Sequence, residues 1–305
     1  MSDQKIGFIG LGRMGRPMAG NMQGKGFDLV VYDINTEAVK VLEQQGATGA
    51  GSVEEVVKNC GVVFTVLPTH NEVESIVFGE GGFAANAQPG SILVDMSTVD
   101  PAATDSLATR LSAQGLRCVD APIGRLASHA DAGESLFMVG ASGNDFLTIK
   151  PMLESMGTAI HHCGPVGTGI RTKLINNYLA ITSCQMNAEA LTLTRRFGLD
   201  LEKTLEVIHG TTATNGQLKL NYATKVLAGD IAPGFQIDLA HKDLSLVLQA
   251  ANADRVPMSI GAAARESLNL ARARGWGDKD FSALLDAQCE AADVPVVRAA
   301  KTPVN

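Results

Sequence analysis

The feature that most constrains this chain is a glycine run wedged between a strand and a helix. Residues 5–10 form a short apolar run of strand character and residues 14–24 have helical spacing. Between them lies Gly10-Leu11-Gly12-Arg13-Met14-Gly15, the pattern G-x-G-x-x-G. In that setting the first glycine permits a tight turn, the second lets backbone approach a pyrophosphate, and the third lets helix and strand pack closely. The free N–H groups and dipole of the helix N-terminus then favour the negative charge. Asp33 ends the next strand (28–32), eighteen residues after Gly15, where a carboxylate can accept hydrogen bonds from adenosine ribose hydroxyls. It would also repel a 2′-phosphate, and Ile34-Asn35 bring no arginine to neutralise one. NAD is the expected cofactor, with NADH preferred over NADPH.

Further strand-like runs at 62–66, 92–95, 117–121, 136–140 and 159–163 alternate with helical patterns. One of these helices covers 36–45 and stops at Gly46; another opens at the capping box Ser52-Val53-Glu54-Glu55 and runs to Asn59. Alternating βα units predict a mostly parallel sheet with helices on both faces. The pattern changes at Cys163-Gly164-Pro165. Residues 167–197 contain no proline and no clear strand, which predicts one long helix. Helical segments follow, broken at Gly198, Gly210, Gly229, Pro233, Pro257 and Gly275. The expected architecture is α/β: a Rossmann-type NAD-binding domain over 1–164, joined by the long helix to an all-helical domain over 165–295, with a tail at 296–305.

Composition narrows the class. With 305 residues, 45% hydrophobic and 19% charged, the chain can bury sizeable cores. A net charge of −7 argues against a nucleic-acid partner. The cysteines at 60, 118, 163, 184 and 289 are odd in number and include no C-x-x-C, which reads as free thiols in a reducing compartment. No run approaches the ~20 apolar residues of a membrane span. The start, MSDQKIGFIG, enters a strand without the charged and apolar regions of a signal peptide. A cytoplasmic location is expected. His161-His162 and the other histidines have no metal-ligand spacing, and no metal is expected.

Lys173 and Asn177 are spaced i, i+4 and share one face of the long helix. An ammonium and an amide aimed at one carbonyl oxygen could supply its proton and orient it. The spacing alone fits a solvated lysine and a polar surface asparagine as well. Lys242, in His241-Lys242-Asp243, reads equally as an exposed charged face.

Six segments together resemble the β-hydroxyacid dehydrogenase family, of the 3-hydroxyisobutyrate dehydrogenase type. They are GFIGLGRMGRPMAGNM, Val66-Leu67-Pro68, Asp95-Met96-Ser97-Thr98, Asp120-Ala121-Pro122-Ile123-Gly124, GTGIRTKLINNY and DLAHKDL, in the family's order. The resemblance implies that Lys173 is the acid that protonates the carbonyl oxygen as hydride arrives, with Asn177 holding substrate beside it. It places Arg13, Met14, Asp33, Leu67, Pro68 and Thr98 at dinucleotide-contacting positions, along with the glycine loop, and Lys242 on the cofactor side. It also implies a homodimer or homotetramer formed through the helical half.

One departure stands out. The family's usual substrate loop is Asp-x-Pro-Val-Ser-Gly-Gly; here it reads Asp120-Ala121-Pro122-Ile123-Gly124-Arg125-Leu126. Serine has become Gly124, and a guanidinium enters at Arg125. With GIRTKLINNY and IDLAHKDL, this loop is similar to the sulfolactaldehyde reductase branch of the family, which handles a sulfonate in sulfoquinovose breakdown. The resemblance then implies an NADH-dependent reductase of a small anionic aldehyde, 3-sulfolactaldehyde to 2,3-dihydroxypropane-1-sulfonate, reversibly. Arg125, Asn176, Asn177 and backbone near Tyr178 would hold the sulfonate and hydroxyl. Arg125 also reads as a structural ion pair. The alternatives are a carboxylate-semialdehyde reductase (succinic or tartronate semialdehyde, or 3-hydroxyisobutyrate in the reverse sense) and, from another class, a non-catalytic NAD-binding sensor.

Overall fold

The structure is a computed structural model that describes residues 5–300. Residues 1–4 of the expected signal-free N-terminus and 301–305 of the expected tail lie outside that range. The chain divides into two compact units, Met1–Lys173 and Leu174–Asn305.

The first unit alternates as its sequence predicts. It begins β1 (Ile6–Ile9), α1 (Gly15–Gly24), β2 (Leu29–Tyr32), α2 (Thr36–Glu43), β3 (Thr48–Gly49), α3 (Val53–Asn59) and β4 (Val62–Thr65). Next come α4 (His70–Phe78), α5 (Phe83–Asn86), β5 (Ile92–Asp95), α6 (Pro101–Ser112), β6 (Arg117–Asp120) and β7 (Ile123–Gly124). It closes with α7 (Ala127–Asp131), β8 (Ser135–Gly140), α8 (Gly143–Met156), β9 (Gly157–Gly164) and the first turn of α9 (Thr168–Arg196).

Strands order as β3-β2-β1-β4-β5-β6-β8-β7, with β9 paired to β8. From β3 to β6 every pair is parallel. The chain turns antiparallel only where β8 meets β6 and β7. Successive residues of a strand face opposite sides of the sheet, and here both sides are covered. Phe8, Val31, Phe64 and Val94 pack into one core, and Ile9, Val30, Val63 and Leu93 into the other. That double burial explains why these strands read as continuous apolar runs rather than alternating ones.

Helix starts follow local chemistry. Ser52 Oγ accepts from the backbone of Glu55 at 3.2 Å, as the capping box requires. The returning carboxylate differs from the expectation: Glu55 Oε2 accepts from Gly51 N at 2.8 Å, one residue earlier. A reciprocal box forms instead at Thr69 and Glu72, opening α4.

In the second unit, α9 continues to Arg196 and is followed by α10 (Leu201–His209), a π-helical stretch Gln217–Tyr222, α11 (Ile237–Ala253), α12 (Ser259–Ala273) and α13 (Leu284–Ala291). Its core gathers Ile181, Cys184, Leu191, Tyr222, Leu244 and Leu268. Asn187 and Asn215 exchange amide hydrogen bonds of 3.0 and 2.8 Å, tying α9 to the start of the π-helical stretch.

Candidate active site

The glycine loop does what its three positions require. Gly10 holds φ +94°, and a Cβ there would lie 2.2 Å from Val66 O. A Cβ on Gly15 would lie 1.9 Å from Gly10 O, so helix and strand backbones touch directly. Around Gly12 nothing stands within 4 Å of the Cβ position. That opening is where backbone can meet a phosphate, and α1 begins after Met14 without a side-chain cap.

Asp33 follows β2 and folds back on the loop. Its Oδ2 accepts from Leu11 N at 2.6 Å and its Oδ1 from Asn35 N at 2.7 Å. Arg13 forms a two-pronged pair with Asp131 of α7, at 2.7 and 2.6 Å. At the end of β5, Asp95 is a buried clasp: Thr65 Oγ1 donates to its Oδ1 at 2.8 Å and Ser97 N at 3.1 Å. Burial pushes its carboxyl above the ordinary range. Ser97 Oγ then accepts from Leu67 N at 2.9 Å, which holds the loop of Leu67 and Pro68 against that of Thr98. The glycine loop, Asp33, Leu67, Pro68, Ser97 and Thr98 stand just beyond the C-terminal ends of β1, β2, β4 and β5, on both sides of the point where strand order reverses. Open α/β sheets bind ligands at that crevice, and the cradle fits a nicotinamide dinucleotide.

The same edge carries Lys173. Lys173 is 9% exposed, and its Nζ donates to Ile123 O of β7 at 2.6 Å. Gly124 and Arg125 follow at once. A Cβ on Gly124 would press on Leu136 at 3.0 Å, so that residue offers the site only its backbone. Arg125 occupies the left-handed region, φ 69°, where the family's loop pattern has glycine. Its Nη1 donates to Glu134 O at 2.6 Å and to Thr158 Oγ1 at 2.9 Å. Among the described residues Arg125 forms no ion pair, in contrast to its reading as a structural ion pair.

In the second unit a chain of amides converges on one buried carboxylate. Asn176 Nδ2 donates to Asn177 Oδ1 at 3.1 Å, and Asn177 Nδ2 donates to Asp243 Oδ2 at 2.7 Å. Lys242 pairs with the other oxygen of Asp243 at 3.3 Å. Asp243 is 3% exposed. It unites Asn177 and Lys242, which the sequence shows only as separate candidates. Its only signal in the sequence was an acidic residue beside Lys242 in His241-Lys242-Asp243. Tyr178 packs its ring against Gly261 of α12, where a Cβ would lie 3.0 Å away.

The comparisons with known proteins agree with this fold. Residues 5–164 match the NAD binding domain of 6-phosphogluconate dehydrogenase. Residues 167–288 match the NAD-binding domain of NADP-dependent 3-hydroxyisobutyrate dehydrogenase. The 3-sulfolactaldehyde reductase of Escherichia coli is 40% identical over 92% of this chain and 94% of its own length. The 2-(hydroxymethyl)glutarate dehydrogenase of Eubacterium barkeri is 36% identical over 92% and 93%. Among solved structures, Mycobacterium tuberculosis 3-hydroxyisobutyrate dehydrogenase with L-serine superposes with a TM-score of 0.86 at 30% identity, covering 93% of this chain and 98% of that one. The chain belongs to the 3-hydroxyisobutyrate dehydrogenase-like β-hydroxyacid dehydrogenase family, and it is an oxidoreductase with NAD(P)-binding domains that acts on CH–OH groups.

Asp243→Ala frees the Asn177 amide to rotate while leaving the first unit untouched. A side chain misplaced by about 1 Å in an active site can cost about 10²-fold in rate. Steady-state assays should show that loss in kcat/KM.

Proposed function

We propose that this protein is an NADH-dependent reductase of a small anionic aldehyde, with 3-sulfolactaldehyde as substrate and 2,3-dihydroxypropane-1-sulfonate as product, working reversibly in sulfoquinovose degradation. The observation that carries the reading is Arg125. A left-handed conformation costs a non-glycine residue about 1–3 kcal/mol. Glycine would fill this position without strain, so arginine is retained for its side chain. Its fork sits two residues beyond Ile123, whose carbonyl grips Lys173. The Nη1 bonds to Glu134 and Thr158 hold the guanidinium in place, and arginine still has N–H groups on Nε and Nη2 to offer an anion. A sulfonate accepts several such bonds without taking up a proton. The relative named as a 3-sulfolactaldehyde reductase supports the same substrate.

Bound NADH supplies the hydride to the aldehyde carbon. Lys173 donates the proton to the carbonyl oxygen from an ammonium already held by Ile123 O. Asn177, one helical turn along and oriented by Asp243, holds the hydroxyl, and Asn176 and backbone near Tyr178 complete the substrate's surroundings. Gly10, Leu11, Gly12, Arg13, Met14 and Gly15 cradle the pyrophosphate, and Leu67, Pro68, Thr98 and Lys242 line the dinucleotide's path. Asp33 takes the ribose hydroxyls and repels a 2′-phosphate. All five cysteines are free, which suits the reducing cytoplasm. No helix among the described residues is long and apolar enough to cross a membrane.

The helical half carries a further sign. Ile175, Leu179, Met186, Leu193 and Phe197 of α9 and its end are 61, 60, 50, 50 and 66% exposed. Steps of four and seven place them along one side of a helix. A second copy of this chain, meeting the stripe in a homodimer, would remove it from water.

Four measurements test these assignments. Parallel NADH-coupled assays on 3-sulfolactaldehyde, succinic semialdehyde and an uncharged aldehyde should favour the sulfonate. Arg125→Ala should cost about 2–5 kcal/mol in kcat/KM on the sulfonate only, whereas Lys173→Ala stops turnover on all three. Equal losses on charged and uncharged aldehydes would return the enzyme to the carboxylate-semialdehyde reductases. Asp33→Ser should narrow the NADH over NADPH preference by about 10–100-fold, because like-charge contact costs several kcal/mol; parity in the parent protein would sink the cofactor assignment. Leu179→Glu with Leu193→Glu should give monomers in sedimentation velocity where the parent gives dimers or tetramers.

A further inference from the structure

We propose that Asp120 is a positioning residue of this site: its carboxylate clamps the first N–H groups of α9 and so sets where Lys173 holds its ammonium, given the reading of Lys173 as proton donor. Asp120 ends β6. Its Oδ1 accepts from Gly167 N and its Oδ2 from Ile170 N, each at 2.6 Å. Three residues on, Ile123 O takes the hydrogen bond from Lys173 Nζ, also at 2.6 Å. One short segment therefore grips α9 at two levels, by its backbone and by the reactive side chain a turn later.

Two glycines clear the room for this clamp. A Cβ on Gly140 would lie 2.2 Å from Asp120 Oδ1. A Cβ on Gly169 would lie 2.3 Å from Met138 O and 2.9 Å from Asp120 Oδ2. The first turn of α9 lies flush against β6 and β8 because neither position has a side chain.

The clamp needs an ionised carboxylate. Protonation turns one acceptor oxygen into a donor facing an N–H, and that bond is lost. Facing Asp120 are Asp95, its register partner on β5, Cys118 on its own strand and the Arg171–Asp105 pair flanking Gly167, while Lys173 is held at Ile123 three residues on. Burial lifts the Asp120 carboxyl to about 6; the N–H groups of Gly167 and Ile170 pull it down and Asp95 pushes it up. An ordinary aspartate titrates near ~3.9. Between that value and about 6 the folded protein binds the proton more tightly than the unfolded chain, so this group adds stability as pH falls through that window. The clamp loosens on the acid side without this group unfolding the protein.

The kcat–pH profile of the parent should show an acid limb with an apparent pKa near 6. Asp120→Asn should lower kcat about 10–100-fold, abolish that limb and leave NADH affinity unchanged. Hydrogen exchange of the peptide spanning 165–175, corrected for intrinsic rates, should lose about tenfold protection from pH ~7.5 to ~5.5 in the parent and show no such change in Asp120→Asn. A parent without the limb, a variant that retains it, or a variant with kcat within about threefold of the parent overturns the assignment. If Asp120→Asn does not fold, Gly140→Ala keeps the carboxylate but displaces it, and an unaltered profile in that variant is equally fatal. The exchange measurement uses no substrate, so it decides the role of Asp120 even if none of the aldehydes is turned over.

Discussion

The backbone contact between Gly10 and Gly15 is the constraint on which the rest of the first unit depends. A Cβ at Gly15 would stand 1.9 Å from the Gly10 carbonyl oxygen. This contact brings the start of α1 down onto the end of β1, the strand beside which the order of the sheet reverses. Once that end is fixed, parallel pairing carries Asp33, Leu67 and Thr98 to the same edge. Their local bonds, Asp33 to Leu11 N and Ser97 to Leu67 N, then lock loops that sequence leaves far apart.

Much of this was legible before the structure. Strand positions followed from apolar runs because a doubly covered sheet leaves no polar face to interrupt them. The long helix followed from an unbroken stretch without proline. The turn at Gly10 and the close packing at Gly15 were legible because each demands glycine at a fixed spacing.

What escaped the sequence depends on partners distant in the chain. The antiparallel seating of β8 between β6 and β7 is a pairing decision with no local signature. The compact units divide between Lys173 and Leu174, within a helix whose sequence has no break there, whereas the composition shifts at Cys163-Gly164-Pro165. The physical reason is Asp120, which binds the first turn of α9 to the sheet. Buried carboxylates such as Asp95, Asp120 and Asp243 look like ordinary acidic residues until the groups they accept from are known. The π-helical stretch Gln217–Tyr222 likewise has helical composition and an altered hydrogen-bond period.

Arg125 carries a consequence for engineering. Its backbone sits where glycine is at ease, so the position stores a stability deficit that any replacement by glycine would relieve. A selection for heat tolerance alone would drift toward glycine there. The survivors would be sturdier proteins with an unchanged glycine loop and no guanidinium beside Ile123.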